Sequence, residues 1–452
     1  MQLTAIDDAP TIRFHHKLVV ACSGGPLLDG YLLSIIGVTL GGITAELDLG
    51  ETAVGLVGVA ALVGMFAGGF VVGPLADLFG RRMMYTIDLA VLVVASVACV
   101  FVTEAWQLIA LRFVIGFAVG ADYPIATALL TEWCPRRMRS RALGLVIAAW
   151  YLGAVLAYAV GYVISGIAGP VGWRWSLGSA AVVSAVVLAL RHGTPESPRW
   201  LVEKGRADEA RVLVTQVLGV PVTADQLVEA KADSIRPGCI RQLFRGLFLR
   251  RILFITLLYT CQVIPMWALL IFGPQLLSAF GFESDVVDML GPALISALFL
   301  IGCIPALRLL ETRGRRPVAI WSFALMTVPL FVLGLWQGAP IWAVIGCFCL
   351  YAFFAGAPGI LEWLYPNELF PTAIRASAVG TAVALSKVGA AIGTYLVPVS
   401  LTHLGLAPTM YAGVVITAIG LLACVAWAEE TTDRSLHEAS AAPLALPAAR
   451  TE

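Results

Sequence analysis

Apolar residues run along this chain in long unbroken blocks separated by short polar loops, with no strand-like alternation. A helix crossing the roughly 30 Å hydrocarbon core of a bilayer needs about 20 consecutive apolar residues. Runs of that length fall near 17–43, 52–75, 83–102, 106–129, 141–168 and 172–191, and again near 250–280, 288–310, 317–337, 340–364, 375–402 and 407–428. One long polar stretch, residues 192–249, separates the two sets, and a tail rich in Ala and Pro runs from about 429 to Glu452. The pattern predicts an all-α membrane protein of twelve transmembrane helices. Its parts are an N-terminal six-helix bundle (1–191), a cytoplasmic loop (192–249), a C-terminal six-helix bundle (250–428) and a cytoplasmic tail (429–452). The first run is too long for a signal peptide and carries no cleavage-like site, so it reads as a span.

Lys and Arg accumulate in cytoplasmic loops, so their placement gives the direction of each span. Basic residues cluster at Arg13 and Lys17, after span 2 (Arg81, Arg82), after span 4 (Arg136, Arg137, Arg139, Arg141), in the central loop, after span 8 (Arg313, Arg315, Arg316) and after span 10 (Arg375). The opposite loops, TAELDLGE (44–51) and GFESDVVD (281–288), are acidic, and Arg174 is the exception on that side. Both termini and the central loop are therefore expected in the cytoplasm, with the chain in the cell membrane, the inner membrane if the source is bacterial.

Composition agrees. The 452 residues are 59% hydrophobic and 13% charged, against about a quarter charged in an ordinary soluble domain, and the mean hydropathy is +0.89. A net charge of zero offers no field for nucleic acid. The nine cysteines are scattered through apolar runs without paired spacing, so neither a disulfide framework nor a zinc site is indicated. His15, His16, His192, His403 and His437 all fall at or beyond span ends. A histidine relay, a metal site and a Ser/His/Asp grouping are thus unsupported, and no cofactor is expected.

The two halves repeat. GxxxDxxGRR from Gly73 to Arg82 is echoed by ExxGRR from Glu311 to Arg316, with the Gly-Arg-Arg triplets 234 residues apart. ExxPxxxR occurs at Glu132, Pro135, Arg139 and again at Glu368, Pro371, Arg375, an offset of 236. Duplicated bundles place a site near the membrane midplane between them, exposed to each side in turn by rocking.

With these motifs the sequence resembles a major facilitator superfamily transporter of the sugar-porter and metabolite:proton-symporter branch. The segments carrying the resemblance are GPLADLFGRR (73–82), RFVIGFAVGADYPIATALLTEWCPRRMRSRALG (112–144), PESPRWLVEKGRADEA (195–210), ETRGRRP (311–317) and ELFPTAIRASAVG (368–380). The resemblance implies that the charges at the cytoplasmic helix ends form a gate: Asp77, Arg81, Arg82, Glu132, Arg139, Glu196, Glu311, Arg315, Glu368, Arg375 and Glu430, with Gly80 supplying the tight turn. Opposite charges pairing across the bundle boundary would favour the closed state by about 1–3 kcal/mol. The competing reading is that they only fix topology. In the central loop, apolar positions around Leu201, Ala210, Val212, Leu213 and Val217 predict short amphipathic helices.

An ionisable residue deep in a span is a functional candidate because its cost must be offset by a partner or by water. Asp29 and Lys387 each lie about 12 residues into their spans, roughly 18 Å deep at 1.5 Å per residue. Arg112 lies nearer the outer end of span 4 and Asp122 nearer its inner end. Burial favours the protonated form of a carboxylate and a neighbouring cation the ionised form, so rocking between such environments can couple protons to transport. Asp29, Asp122 and Arg112 are the proton-coupling candidates, Asp29 foremost, with a structural carboxylate as the alternative. Many relatives carry a second acidic residue one turn on, where this chain has Leu32. GADYPIA resembles the corresponding segment of phosphate:proton symporters, in which an Asp there and a Lys in span 11 are functional, but span 7 lacks the acidic residue of that branch. Lys387 suits a carboxylate; its alternative is a salt bridge to Asp122.

Tyr123, Trp150, Gln262, Trp267 and Tyr351 complete the substrate candidates with Lys387, an aromatic supply fit for a small carboxylate on an apolar or aromatic frame. The expectation is a secondary active transporter, not an enzyme, importing a small organic metabolite with protons, working as a monomer in the bilayer. A sugar or polyol carrier is the alternative. A transporter-like nutrient sensor fits less well because the tail is short, and a membrane enzyme because no nucleophile, ligand set or phosphate loop is clustered.

Overall fold

The computed structural model describes residues 10–431 apart from 80, 192, 197, 199, 200, 202, 203, 220–245, 282–284 and 371. Its first six long helices are α1 (Arg13–Leu47), α2 (Glu51–Phe79), α3 (Arg81–Ala98), α4 (Ala105–Trp133), α5 (Arg136–Ala168) and α6 (Gly172–Arg191). A shorter α7 (Ala207–Leu218) follows, then α8 (Gly246–Ala279), α9 (Asp285–Thr312), α10 (Arg315–Leu335), α11 (Ile341–Leu369), α12 (Thr372–His403) and α13 (Leu406–Trp427). Among the described residues ten runs are long and apolar enough to cross a bilayer. One of them, Gly144–Arg191, holds both α5 and α6, and α3 appears as the shorter apolar helix Thr86–Phe101. Each of the twelve expected spans thus has its helix, α1–α6 and α8–α13.

Local chemistry sets the breaks. Asp48, with φ 48°, closes α1 in the left-handed region and donates its N–H to the Thr44 carbonyl. Glu51 then opens α2, where a carboxylate suits the positive end of the helix dipole. Between α9 and α10 the chain turns at Gly314, with φ 93°. A side chain there would strain the backbone and strike the Glu430 carboxylate.

Packing repeats as the motifs do. In the first half α2 packs on α4, α1 on α5 and α6, and α3 on α4 and α6. In the second half α9 packs on α11, α8 on α12 and α13, and α10 on α11 and α13, the same pairs six spans later. Between halves, α2 meets α12, α5 meets α9 and α1 meets α8. Lipid tails are as apolar as leucine, so such helices associate mainly where small residues let backbones approach. Gly64 and Gly68 on α2 face the backbone at Phe113 and Phe117, and Gly116 and Gly120 on α4 face the backbone at Ala61 and Met65. In the second half Gly302 on α9 meets the backbone of Phe353, and Gly356 on α11 meets that of Gly302 and Cys303.

The two halves are sealed together at the end bearing the acidic 44–51 loop. There Tyr158 on α5 donates its hydroxyl to the Leu270 carbonyl on α8. Gly37 lies against the same carbonyl, Gly58 against the Phe272 ring, and Gly55 against the Tyr395 ring. At Phe272 α8 leaves helical geometry (φ −108°, ψ 19°), two residues before Pro274, which bends the helix over this contact. Arg174, the basic exception on this face, is held by Glu46 at 2.7 Å, and Trp173 donates to the same carboxylate at 2.6 Å.

Helix α7 carries the amphipathic pattern expected of the central loop, with one correction. It buries the row Ala210, Val214 and Leu218, against a cluster that includes Leu18, Leu130 and Trp133. Val212, expected on the buried stripe, is exposed because it lies off that i, i+4 row.

Candidate functional site

Two buried charged centres face each other across the bundle boundary. In the first bundle, Asp122 on α4 is paired with Arg191 at the end of α6, Nη2 donating to Oδ2 at 2.9 Å and Nη1 lying 2.9 Å from Oδ1. Both side chains are almost wholly buried. The pair presses on Gly25 of α1, where a side chain would collide with it. Arg191 also donates through Nε to the Ala21 carbonyl at 3.4 Å, so it ties α1, α4 and α6 together. Asp88 on α3 is buried beside them, its Oδ1 accepting the Leu89 N–H at 2.6 Å.

Asp29 on α1 is 1% exposed, and neither of its carboxylate oxygens has a hydrogen-bond partner among the described residues. Its charged neighbours are Asp122, Arg191 and Asp88 in its own bundle and Lys387 in the other. Asp29 thus has charged neighbours in both bundles.

The second centre is lined by aromatics from both bundles. Trp150 and Tyr151 come from α5, Trp267 from α8, Phe299 from α9 and Tyr351 from α11. Trp150 meets Trp267 edge-on with ring centroids 5.5 Å apart, Tyr151 stacks on Phe299 at 5.4 Å, and Phe299 meets Tyr351 edge-on at 6.2 Å. Lys387 on α12 places its ammonium 5.7 Å from the Trp267 ring centroid, within cation–π range. Gln262 donates to the Met266 sulfur at 3.5 Å, while its Oε1, the Trp267 Nε1 and the Tyr351 hydroxyl are buried without a hydrogen-bond partner. Buried polar atoms in folded proteins are normally paired, so these three are unmet polar groups at this centre.

Of the expected substrate residues, the structure brings together Lys387, Trp150, Gln262, Trp267 and Tyr351. The side chain of Tyr123 lies outside what is described. Asp29 and Asp122 come together, but Arg112 does not join them. Arg112 donates to the Leu32 carbonyl at 2.9 Å, and its remaining nitrogens, Nε and Nη2, are buried without partners. The cation of the first centre is Arg191. The expected Asp122–Lys387 alternative is likewise replaced, since Asp122 pairs with Arg191.

Three buried residues with a place in these centres were not singled out from the sequence: Asp88, Arg191 and Glu362. Glu362 on α11 is 6% exposed with its Oε1 unpartnered, and Lys387 is its charged neighbour. The available signal was one acidic residue inside a run drawn as a span, six positions before the Glu368 motif.

The expected gate is resolved in part. Gly80 lies outside the described residues, as do the side chains of Asp77, Arg81, Arg82, Glu132, Arg139 and Arg375. Arg315 pairs with Glu368 at 3.0 Å, and Glu430 caps α10 by accepting the N–H groups of Arg315 at 2.9 Å and Arg316 at 3.1 Å. Arg251 and Glu429, not anticipated, pair beside them at 2.7 Å. These pairs join helices within the second bundle rather than crossing the boundary, because the starts of α8 and α10, the end of α11 and the exit of α13 converge there. Glu311 is exposed, and Glu196 lies near Arg206 at the start of α7.

Six helices repeated as six others, with opposite charges buried where the repeats meet, is the architecture of the major facilitator transporters, which move solutes and are not enzymes. The chain belongs to the sugar (and other) transporter family, matching it over residues 17–442. It is 44% identical to the Escherichia coli protein YaaU, whose assignment to metabolite transport is itself provisional, over 96% of each chain. It is 29% identical to the niacin transporter NiaP of Acinetobacter baylyi, over 89% of this chain and 90% of that one. Its fold matches the partially occluded inward-open structure of the E. coli xylose transporter XylE with a TM-score of 0.80, at 21% identity and over 93% and 99% of the two chains.

Proposed function

We propose that this protein is a proton-coupled symporter that imports a small organic metabolite bearing a carboxylate, by alternating access. The observation that carries the reading is Asp29: a buried carboxylate with both oxygens unpartnered among the described residues, with the Asp122–Arg191 pair and Lys387 as its charged neighbours. Protonation of such a group removes the cost of carrying its charge through the occluded state. Lys387, backed by Trp267, is the anchor for the carboxylate of the cargo. The basic end is assigned to the cytoplasm by the positive-inside pattern, so the sealed acidic end is the outward one and access from that side is closed.

Support from relatives is divided: the fold neighbour is a proton:xylose symporter, while NiaP is a niacin transporter. A sugar or polyol cargo is the second reading, favoured by Gln262, whose amide suits a hydroxylated ligand. In proteoliposomes an inward proton gradient should drive accumulation above equilibrium. Asp29→Asn should abolish that accumulation yet keep counterflow exchange. Equal uphill uptake by the variant would overturn Asp29 as the proton site, and uptake that only equilibrates in the native protein would overturn symport.

A further inference from the structure

Neither proton exchange at Asp29 nor the ion pairs at the basic end involves Glu362. It sits on α11, 6% exposed, one carboxylate oxygen unpartnered, and a buried carboxylate left in that state is costly unless something meets it. Lys387 on α12 is its leading charged neighbour and Glu362 is that of Lys387. Even so, no ion pair within 4.0 Å joins them. The ammonium lies instead over the Trp267 ring, 5.7 Å from its centroid. One turn before Glu362 on α11, Gly359 packs against the Tyr151 hydroxyl and the Gln262 amide, so an acidic and a basic side chain flank the aromatic centre without touching each other. The buried, unpartnered Trp267 Nε1, Tyr351 hydroxyl and Gln262 Oε1 lie around the same centre.

We propose that this centre takes a bipolar metabolite, a small molecule carrying a carboxylate for Lys387 and a cationic nitrogen for Glu362, on an apolar frame packed against the Trp150–Trp267 pair. The inference deepens the transport reading and rests on it. The alternatives leave a charge stranded. A simple anion satisfies Lys387 but brings a second negative charge toward Glu362, a cation alone does the reverse, and a neutral polyol neutralises neither pole. A site with a buried group left unmet discriminates strongly against the ligand that fails to meet it. A bipolar ligand meets both poles, and the aromatic faces favour its cationic nitrogen. The indole N–H and the tyrosine hydroxyl can donate to remaining carboxylate lone pairs, and Gln262 Oε1 can accept from an N–H of the ligand. Such a cargo brings no net charge, so the charge that moves with it is that of the coupled proton.

The test uses two matched ligand sets on the purified full-length protein, read by the rise in melting temperature. One is benzoate, benzylammonium, 4-(aminomethyl)benzoate and benzyl alcohol; the other is hexanoate, hexylammonium, 6-aminohexanoate and hexanol, with xylose as the neutral polyol. A zwitterion should stabilise most, and Glu362→Gln should weaken its binding at least tenfold while leaving the matching anion unchanged or tighter. Lys387→Met should weaken the zwitterion equally and spare the matching ammonium compound. Each variant's ligand-free melting temperature separates lost recognition from lost folding. The proposal is overturned if an anion or a polyol is the best ligand, if no zwitterion stabilises the protein, or if Glu362→Gln weakens zwitterion and anion alike. A bound zwitterion whose exchange ignores a proton gradient would overturn proton coupling and leave this assignment intact. Proton-driven uptake of a simple anion would do the opposite.

Discussion

Asp29 and Asp122 are both buried carboxylates, yet their surroundings divide the work between them. Asp122 is held by two contacts to Arg191 at 2.9 Å, whereas Asp29 has no hydrogen-bond partner. Removing one member of a buried pair costs about 3–5 kcal/mol, because the other is left charged and unmet. Arg191→Ala should therefore lower the melting temperature sharply, and adding Asp122→Asn should restore much of it. If the double variant is no more stable than the single, Arg191 stabilises the bundle through its other contacts, the Ala21 carbonyl among them, and not through the pair. Exposed charges behave differently. At the start of α7, Arg206 donates to both oxygens of Glu209, and the guanidinium holds that carboxyl below its usual range. A lowered folded value gives stabilisation that is present at neutral pH and lost as pH falls through it. Both groups are exposed and solvent-screened, so Glu209→Gln should leave the melting temperature at pH 7 nearly unchanged. Asp29 and Lys387 were legible in the sequence because each interrupts a long apolar run well away from its ends, and Asp122 because it falls in the GADYPIA segment. Asp88, Arg191 and Glu362 lie near run ends, where a charge reads as interfacial, and only packing turns them inward.

At the scale of elements, the spans were legible because hydrocarbon thickness dictates their length. Which helices would touch was not: the Gly-x-x-x-Gly spacing at Gly64/Gly68 and Gly116/Gly120 marks a packing face without naming the helix that meets it. Along the α2/α4 seam a side chain at Gly116 would run into the backbone at Ala61. Overpacking of this kind costs about 1–3 kcal/mol or more, so Gly116→Val should reduce the yield of folded protein and its melting temperature. Gly166→Ala, on α5 with nothing within 4 Å of the added carbon, is the control and should change neither. The sign of the α7 face was also beyond the sequence pattern. Val212 is the more apolar of Val212 and Ala210 yet is the one exposed, because the surface formed by the ends of α1 and α4 selects the row Ala210, Val214 and Leu218.

For the whole molecule, the repeat read from Gly-Arg-Arg and ExxPxxxR reappears as the same helix pairs in both halves, and the family match spans residues 17–442. The gate did not follow in the same way: its described pairs stabilise one bundle, and the boundary between bundles is sealed at the opposite end. Rocking requires that seal to open. A carbon added at Gly55 would lie 3.0 Å from the Tyr395 ring, so the pair Gly55→Cys and Tyr395→Cys should cross-link on oxidation, stop exchange and release it on reduction. Undiminished exchange by the cross-linked protein would rule out opening at that end. The most direct measurement of the central claim is proton movement itself, in liposomes loaded with a pH-sensitive dye and given an inward gradient of the strongest-binding ligand. With the native protein the lumen should acidify as the ligand enters, and Asp29→Asn should carry the ligand without acidification. Ligand entry with no acidification by the native protein would contradict the account.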